Sequence, residues 1–380
     1  MNDVYILGIG MTRFARHKDT TAVDLGVSAV ADALGDAGID VRDVDAMYAG
    51  HVYGGMVAGQ SVAAGCGLAG IPVVNVENAC ASGTTAIIEA AYGIRSERYR
   101  CVVACGFEKV SDRAGMLAPA DDDFEGQLGL VFPAWHAMRA RMYMNEYGLT
   151  REQLALVAVK NHHNGARNSK AQYRNEITVE DVANSREIAS PLRLFDCCPK
   201  GDGAAAVILG SKELADHAAR HSRTVRIRGM GLFSGAADGK YSALFEDVTA
   251  RAAQTAFDEA DLLPEDTDFA EVHDCFTIAE GLRVEGLGLC PPGTYFQQLE
   301  EGRWTTDGRT PINPSGGLLA KGHPLGATGV AQLCEITTQF RGEAGDRQVK
   351  KADVAVAHTR GGSVPGTEGG SCAVVVCMAD

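Results

Sequence analysis

The segment Val4-Tyr-Ile-Leu-Gly-Ile-Gly10 returns far along the chain as Val225-Arg-Ile-Arg-Gly-Met-Gly231. A chain that opens two stretches with the same strand-like, glycine-ended run is constrained to fold as two related halves. The residues after each copy agree. A helical stretch comes next, Asp24 to Ala37 and Asp247 to Ala260, and then an acidic turn, Asp40-Val-Arg-Asp-Val-Asp45 and Pro264-Glu-Asp-Thr-Asp268. In the first helix Leu25, Val27, Val30, Ala33 and Leu34 recur near the 3.6-residue period of a helix packed on a sheet. Each half closes on a continuous apolar run, Gly203 to Leu209 and Gly370 to Val376, as buried central strands do. Hydrophobic side chains make up 46% of the 380 residues, enough for two cores. The predicted fold class is α/β, with halves at 1–222 and 223–380 and sheets covered by helices on both faces.

The first half is the longer, and its excess lies between Ser111 and Pro199. This insertion, about 111–199, contains Asp121-Asp-Asp123, the aromatic residues Phe132, Trp135, Tyr143 and Tyr147, a helical run from Glu152 to His163, and the polar stretch Asn161-His-His-Asn164. Substrate contact, oligomer contact and passive cover all suit such a segment. The net charge of -14, with no long basic run, excludes a nucleic-acid surface and leaves an anionic ligand to local basic groups. No apolar stretch approaches the length of a membrane span, and the first residues read as a strand without a basic leader. A cytoplasmic protein with no membrane contact is expected. The 11 cysteines lack any Cys-x-x-Cys pair and are expected to remain thiols. Cys66, Cys101, Cys105, Cys334, Cys372 and Cys377 lie among small apolar residues and read as packing, as does the pair Cys197-Cys198.

Three segments place reactive side chains at strand or helix ends. Val73-Val-Asn-Val76 is a short strand, a helix runs from Thr84, and Cys80 occupies the turn between them. Free backbone N–H groups and the positive end of a helix would favour a thiolate there. From this turn alone a nucleophile and a small buried cysteine fit equally. In the second half Gly322-His323-Pro324 occupies the matching connection, so pseudo-symmetry sets the imidazole and the thiol on neighbouring helix starts. His273-Asp274-Cys275-Phe276 follows the strand from Phe269 to Val272 and precedes a helix from Thr277 to Gly286. With no further ligand at useful spacing, no metal is expected.

Asn78-Ala-Cys80-Ala-Ser-Gly83, His273-Asp-Cys275-Phe276, and Asn313-Pro-Ser-Gly-Gly317 with Lys321-Gly-His323-Pro-Leu-Gly-Ala-Thr-Gly329 together resemble the thiolase superfamily, in its sterol-carrier-protein-type branch. The resemblance spans nearly the whole chain. It implies a thiolase-like duplicated fold: two similar five-stranded mixed sheets in a layered α-β-α-β-α core, with a loop domain inserted in the first half. It also implies an acyl-CoA C-acyltransferase of lipid metabolism. Such an enzyme cleaves a 3-oxoacyl-CoA with coenzyme A, or runs the reverse Claisen condensation, through an acyl-Cys80 intermediate. His323 would deprotonate Cys80, Cys275 would protonate the enolate, and His273 with His323 would face the enolate oxygen. Coenzyme A is a substrate, and no other cofactor is implied.

The chain departs from the family where most members carry a Cys-x-Gly segment. Here the region reads His358-Thr-Arg-Gly-Gly362 and has no cysteine. In this branch the role passes to Cys275. The pairs Gly361-Gly362 and Gly369-Gly370 are candidates for the second backbone oxyanion donor, and His358 has no assigned role. The resemblance further implies a homodimer or a dimer of dimers. A small zinc-ribbon/OB-fold protein is a candidate subunit, because the insertion has no evident basic cluster for the coenzyme A phosphates. Three rival readings remain: a retro-aldolase homologue working with such a partner, a catalytically silent acyl-CoA-binding scaffold, and a decarboxylating ketoacyl synthase. Cys80 opposes the first, the set of Cys80, His273, Cys275 and His323 the second, and Cys275 the third.

Overall fold

A computed structural model describes residues 3–113, 124–217, 223–237, 244 and 247–380. Asp121 to Asp123, and the residues before the expected boundary at 222/223, lie outside the described residues. The first half runs β1 (Val4–Met11), α1 (Ala22–Ala37), β2 (Ala46–Gly50), α2 (Ala58–Gly65), β3 (Val73–Val76), α3 (Ser82–Arg95) and β4 (Cys101–Lys109). The insertion comes next, with α4 (Phe124–Gln127), α5 (Phe132–Tyr147), α6 (Arg151–Ala166), α7 (Val179–Asn184) and a hairpin of β5 (Glu187–Ala189) and β6 (Leu192–Arg193). It is therefore largely helical. Then come β7 (Asp202–Ser211) and α8 (Lys212–His217). The second half is β8 (Val225–Ser234), α9 (Asp247–Ala260), β9 (Phe269–Glu271), α10 (Thr277–Gly286), α11 (Tyr295–Glu300), α12 (Thr328–Phe340), β10 (Val354–Gly361) and β11 (Ser371–Ala379).

The strand order is β3-β2-β4-β7-β1-β8-β11-β10-β9. The duplication is visible in the pairing itself. β2 pairs parallel with β3 and β4, and β4-β7-β1 continue antiparallel; β9 pairs parallel with β10, and β10-β11-β8 continue antiparallel. The position matching β3 is reduced to one parallel bridge between Ala270 and Ile312. Ile312 stands between Pro311 and Asn313-Pro314, and prolines without N–H groups cannot extend a ladder. β1 and β8 also pair antiparallel, at Val4 with Ile227 and Ile6 with Val225, so the two similar mixed halves meet edge to edge within the layered core.

The repeated glycines are explained by close helix approach. A Cβ on Gly10 would lie 2.1 Å from the Ala29 carbonyl oxygen of α1, and one on Gly231 2.0 Å from that of Ala252 on α9. Thr21 caps α1 in a capping box with Asp24, so the helix starts at Ala22, slightly earlier than its apolar period suggests. Between the halves lies a shared layer, α3 and α12, buried on nearly every face; Ile87, Ile88, Val330, Leu333 and Ile336 pack there against strands of both halves. α1 and α2 cover the outer face of the first half. On the second half α9 and α10 do so, joined by α5 and α6 of the insertion. This is the five-layer thiolase-like arrangement. Among the described residues no helix is long and apolar enough to cross a membrane.

Candidate active site

Cys80 sits at the end of a strained reversal. Ala79 has φ 47°, a left-handed conformation costly for a residue with a Cβ. Side chains hold the turn: the Ala79 N–H donates to Glu77 Oε1 (2.7 Å), the Asn78 N–H to Ser82 Oγ (2.9 Å), and Ser82 Oγ to the Ala79 carbonyl (2.6 Å). α3 then begins at Ser82. The helix start does not give the activated thiolate that the sequence suggested. Burial first, then Cys275 and Glu108, push the Cys80 thiol above its usual range, while backbone amides of Gly362 and Cys80 itself pull the other way. Desolvation wins over the helix end. At rest the group is a thiol, and its activation requires a base.

His323 can supply that base. It lies in a loop ahead of α12, which starts only at Thr328, not at the helix start the sequence suggested. The loop must first pass Gly326, where a Cβ would stand 2.5 Å from the Gly50 carbonyl oxygen. His323 Nδ1 is 2.7 Å from Thr328 Oγ1, whose own hydrogen goes to the Pro324 carbonyl at 2.9 Å. Nδ1 therefore carries the ring hydrogen, and Nε2 presents a lone pair. Burial pushes the imidazole down to about 3, so the ring is neutral at ordinary pH. The ring of His273 meets that of His323 edge to face, with centroids 5.0 Å apart. Burial, then His323 and Arg283, hold His273 well below the usual imidazole range. Its Nδ1 is buried without a hydrogen-bond partner among the described residues. Cys80 Sγ and one ring nitrogen from each histidine lie within 4.8 Å of one another, close enough to share one proton or one cation.

Close backbone packing delivers this convergence. The Gly326 carbonyl oxygen lies 2.3 Å from where a Gly83 Cβ would be and 2.1 Å from that of Gly106, so the His323 loop rests directly on α3 and β4. Buried Glu108 accepts N–H groups from Val52 (2.9 Å), Tyr53 (3.0 Å) and Gly326 (3.3 Å), tying the loop to the end of β2. A Cβ on Gly361 would be 2.1 Å from the Asn78 carbonyl oxygen and 2.9 Å from the Cys80 nitrogen, so β10 ends on the Cys80 turn. Gly362, at φ 66°, directs its N–H to the Cys80 sulfur. In the second pair the Gly369 N–H is committed to Thr367 Oγ1 (3.3 Å) and the Gly370 N–H to the Gly362 carbonyl (3.2 Å), which leaves the first pair, Gly361-Gly362, as the candidate donor. His358 is fully buried behind the site and accepts the His273 backbone N–H at Nδ1, 3.4 Å.

Cys275 lies near enough to Cys80 to raise that thiol electrostatically. Burial raises the Cys275 thiol to about 11, offset first by Arg283. The adjacent Asp274 accepts the N–H groups of Leu318 (2.7 Å) and Leu319 (3.3 Å) and the Asn161 amide (2.8 Å). Leu318 and Leu319 belong to a single π-helical turn, Gly317–Lys321, that leads into His323. A buried network supports this turn from below. Glu280 accepts from Lys160 (3.3 Å), Asn161 (2.8 Å) and Asn313 (2.7 Å), and Glu271 accepts from the Ser315 N–H (2.9 Å), Ser315 Oγ (2.6 Å) and Lys321 (3.3 Å). The insertion thus reaches the site through Lys160 and Asn161 of α6. Of these the sequence showed only a polar stretch at 161–164. Cys198, read from the sequence as packing, donates its N–H to the Cys275 carbonyl (3.0 Å), and burial first, then Cys275, holds its thiol well above the usual range.

The chain also matches known proteins along most of its length. The family described as "Thiolase, N-terminal domain" matches residues 4–213, and "Thiolase C-terminal domain-like" matches 237–368. The acetyl-CoA acetyltransferase of Methanothermobacter thermautotrophicus is 42% identical, over 98% of this chain and 99% of that protein. The sterol carrier protein 2 of Gallus gallus is 37% identical, over 94% of this chain and 69% of that protein. Among solved structures, one titled Ltp2-ChsH2(DUF35) aldolase superposes with a TM-score of 0.84 at 26% identity, over 99% of this chain and 98% of that one.

Proposed function

The chain belongs to the thiolase superfamily, in its sterol-carrier-protein-type branch, and is an acyl-CoA acyltransferase; from that premise we propose that it cleaves 3-oxoacyl-CoA with coenzyme A through an acyl-Cys80 intermediate. The observation that carries the reading is the convergence of Cys80 Sγ with ring nitrogens of His273 and His323 within 4.8 Å. His323 Nε2 takes the thiol proton as Cys80 attacks the 3-keto carbon. The carbon–carbon bond breaks, and the enolate oxygen of the departing acyl-CoA is held by the protonated His323 and by His273. Cys275 gives its S–H proton to the enolate carbon. The resulting Cys275 thiolate takes the proton of an incoming coenzyme A thiol, which attacks acyl-Cys80; His323 returns its proton to the departing sulfur. Amides of Cys80 and Gly362 face the oxyanion of that acyl transfer, and Gly361 lets β10 approach closely enough for it. These steps use coenzyme A as a substrate and call on no metal or resident cofactor.

The test separates the two sulfurs. In acetyl transfer from acetyl-CoA to pantetheine no enolate forms and Cys275 stays a thiol; His323 gives its proton to the departing coenzyme A sulfur and takes the pantetheine proton, so the exchange needs Cys80 and His323 only, whereas deuterium uptake at the acetyl C2 needs Cys275. Cys80→Ala should abolish the first, a loss of about a thousandfold or more, and Cys275→Ala only the second. Acetoacetyl-CoA cleavage by Cys80→Ala at the native rate would sink the reading. Cleavage of a 3-hydroxyacyl-CoA by the same variant would favour retro-aldol chemistry, the second reading, which the aldolase named in the structural comparison supports. That aldolase is also paired with a DUF35 component, which supports a partner subunit for this chain, for which a small zinc-ribbon/OB-fold protein is the candidate; full-rate thiolysis by the chain alone would remove the need for one. A homodimer is supported by β3, an edge strand with exposed Val74 beside exposed Met56 and Val57.

A further inference from the structure

The insertion also reaches the site through His136 on α5. The ring is buried and stacks on Phe276, centroids 4.2 Å apart and planes at 25°. Its Nδ1 is 3.0 Å from the Phe132 carbonyl oxygen, which only accepts, so Nδ1 holds the ring hydrogen. Nε2 lies 3.7 Å from Cys275 Sγ. With its hydrogen on the other nitrogen, Nε2 can only accept, and the donor is the Cys275 S–H. Burial, then Arg283 and Arg139, keep the imidazole neutral and thus an acceptor. The backbone of the same short segment is gripped from the insertion's return limb, since Cys198 N–H donates to the Cys275 carbonyl and Cys197 bridges Phe276. Arg283 of α10, Asp274, Arg139 of α5 and Arg360 of β10 surround the thiol, with Cys80 and Cys198 nearby.

We propose that His136 is a positioning residue for the proton step: it accepts the Cys275 S–H and fixes where that sulfur stands, so that the insertion sets the point of proton delivery. This rests on the reading of Cys275 as the proton shuttle. In the reaction, the S–H bond breaks as the proton passes to the enolate carbon, and forms again when the coenzyme A thiol gives up its proton; His136 keeps its Nδ1 hydrogen throughout.

The experiment uses the whole protein with acetyl-CoA in heavy water. His136→Phe preserves the stacked ring and removes the acceptor. Deuterium uptake at C2 should fall about tenfold or more, the worth of one well-made hydrogen bond, while acetyl transfer to pantetheine stays within about twofold. His136→Gln, which offers an acceptor oxygen, should restore uptake to within about threefold of the native protein. If the Phe variant does not fold, His136→Leu takes its place beside the Gln variant. Unchanged uptake, an equal fall of both reactions, or failure of Gln to rescue would each overturn the proposal. Native uptake in Cys275→Ala would instead overturn the reading of Cys275, whatever the His136 variants do.

Discussion

At the residue scale the chemistry depends on where two hydrogens are held. Thr328 spends its hydroxyl on Pro324 and so directs the His323 ring hydrogen to Nδ1. Thr328→Val removes that clamp without emptying the space. The expected outcome is a fall in kcat of about tenfold to a hundredfold with KM little changed, since the loss lies in general-base orientation rather than binding. Equal kcat in the variant would show that the tautomer is set elsewhere. The same residue predicts a pH response. Burial lowers His323 to about 3, below its unfolded value near 6.5. The base therefore stays neutral as the solution is acidified, and the stability linked to this ring is complete above about 6.5 and lost as pH falls toward about 3. The rate of Cys80 acylation, followed by rapid quench, should show no inflection near pH 6.5. An acid limb centred there would mean that the ring is solvated and titrates normally.

At the element scale the support of the site is a buried charge network. Lys160 of α6 reaches Glu280 of α10 and the Ile312 carbonyl, and Asn161 joins Glu280 to Asp274. Lys160→Met leaves the Glu280 carboxylate buried with its cation removed, which should cost about 3–5 kcal/mol and lower the thermal midpoint by several degrees. An unchanged midpoint would mean that the network is not stressed by charge. None of this pairing was legible in the sequence. Regular elements were: α9 and α10 span the helical stretches read from the sequence, Asp247 to Ala260 and Thr277 to Gly286, and β7 contains the run from Gly203 to Leu209. Those signals are local. The π-helical turn at Gly317–Lys321 and the role of His136 depend on partners more than a hundred residues away for His136 and over forty for Leu318, and neither has a periodic signature. The Cys80 turn was legible as a motif, but not its rise in pKa, because desolvation is set by the packing around it.

At the scale of the whole molecule, duplication does the positioning. Matching connections in the two halves bring α3 and the loop before α12 into contact through glycines, and β1 with β8 make one sheet of both halves. Among the described residues β3 is one edge of the sheet, and in the proposed homodimer Val74→Lys there should give a monomer, read by light scattering; an unaltered mass would place the interface elsewhere. Shared architecture of this kind matters only if it brings a nucleophile and a proton shuttle to one substrate. The most direct check is peptide-mapped mass spectrometry of the native protein quenched after mixing with a series of 3-oxoacyl-CoAs. An acyl group on Cys80 alone, with a mass that tracks the acyl chain supplied, is the predicted result. Acylation of Cys275 or Cys198 in its place, or turnover with no acylated thiol, would contradict the account.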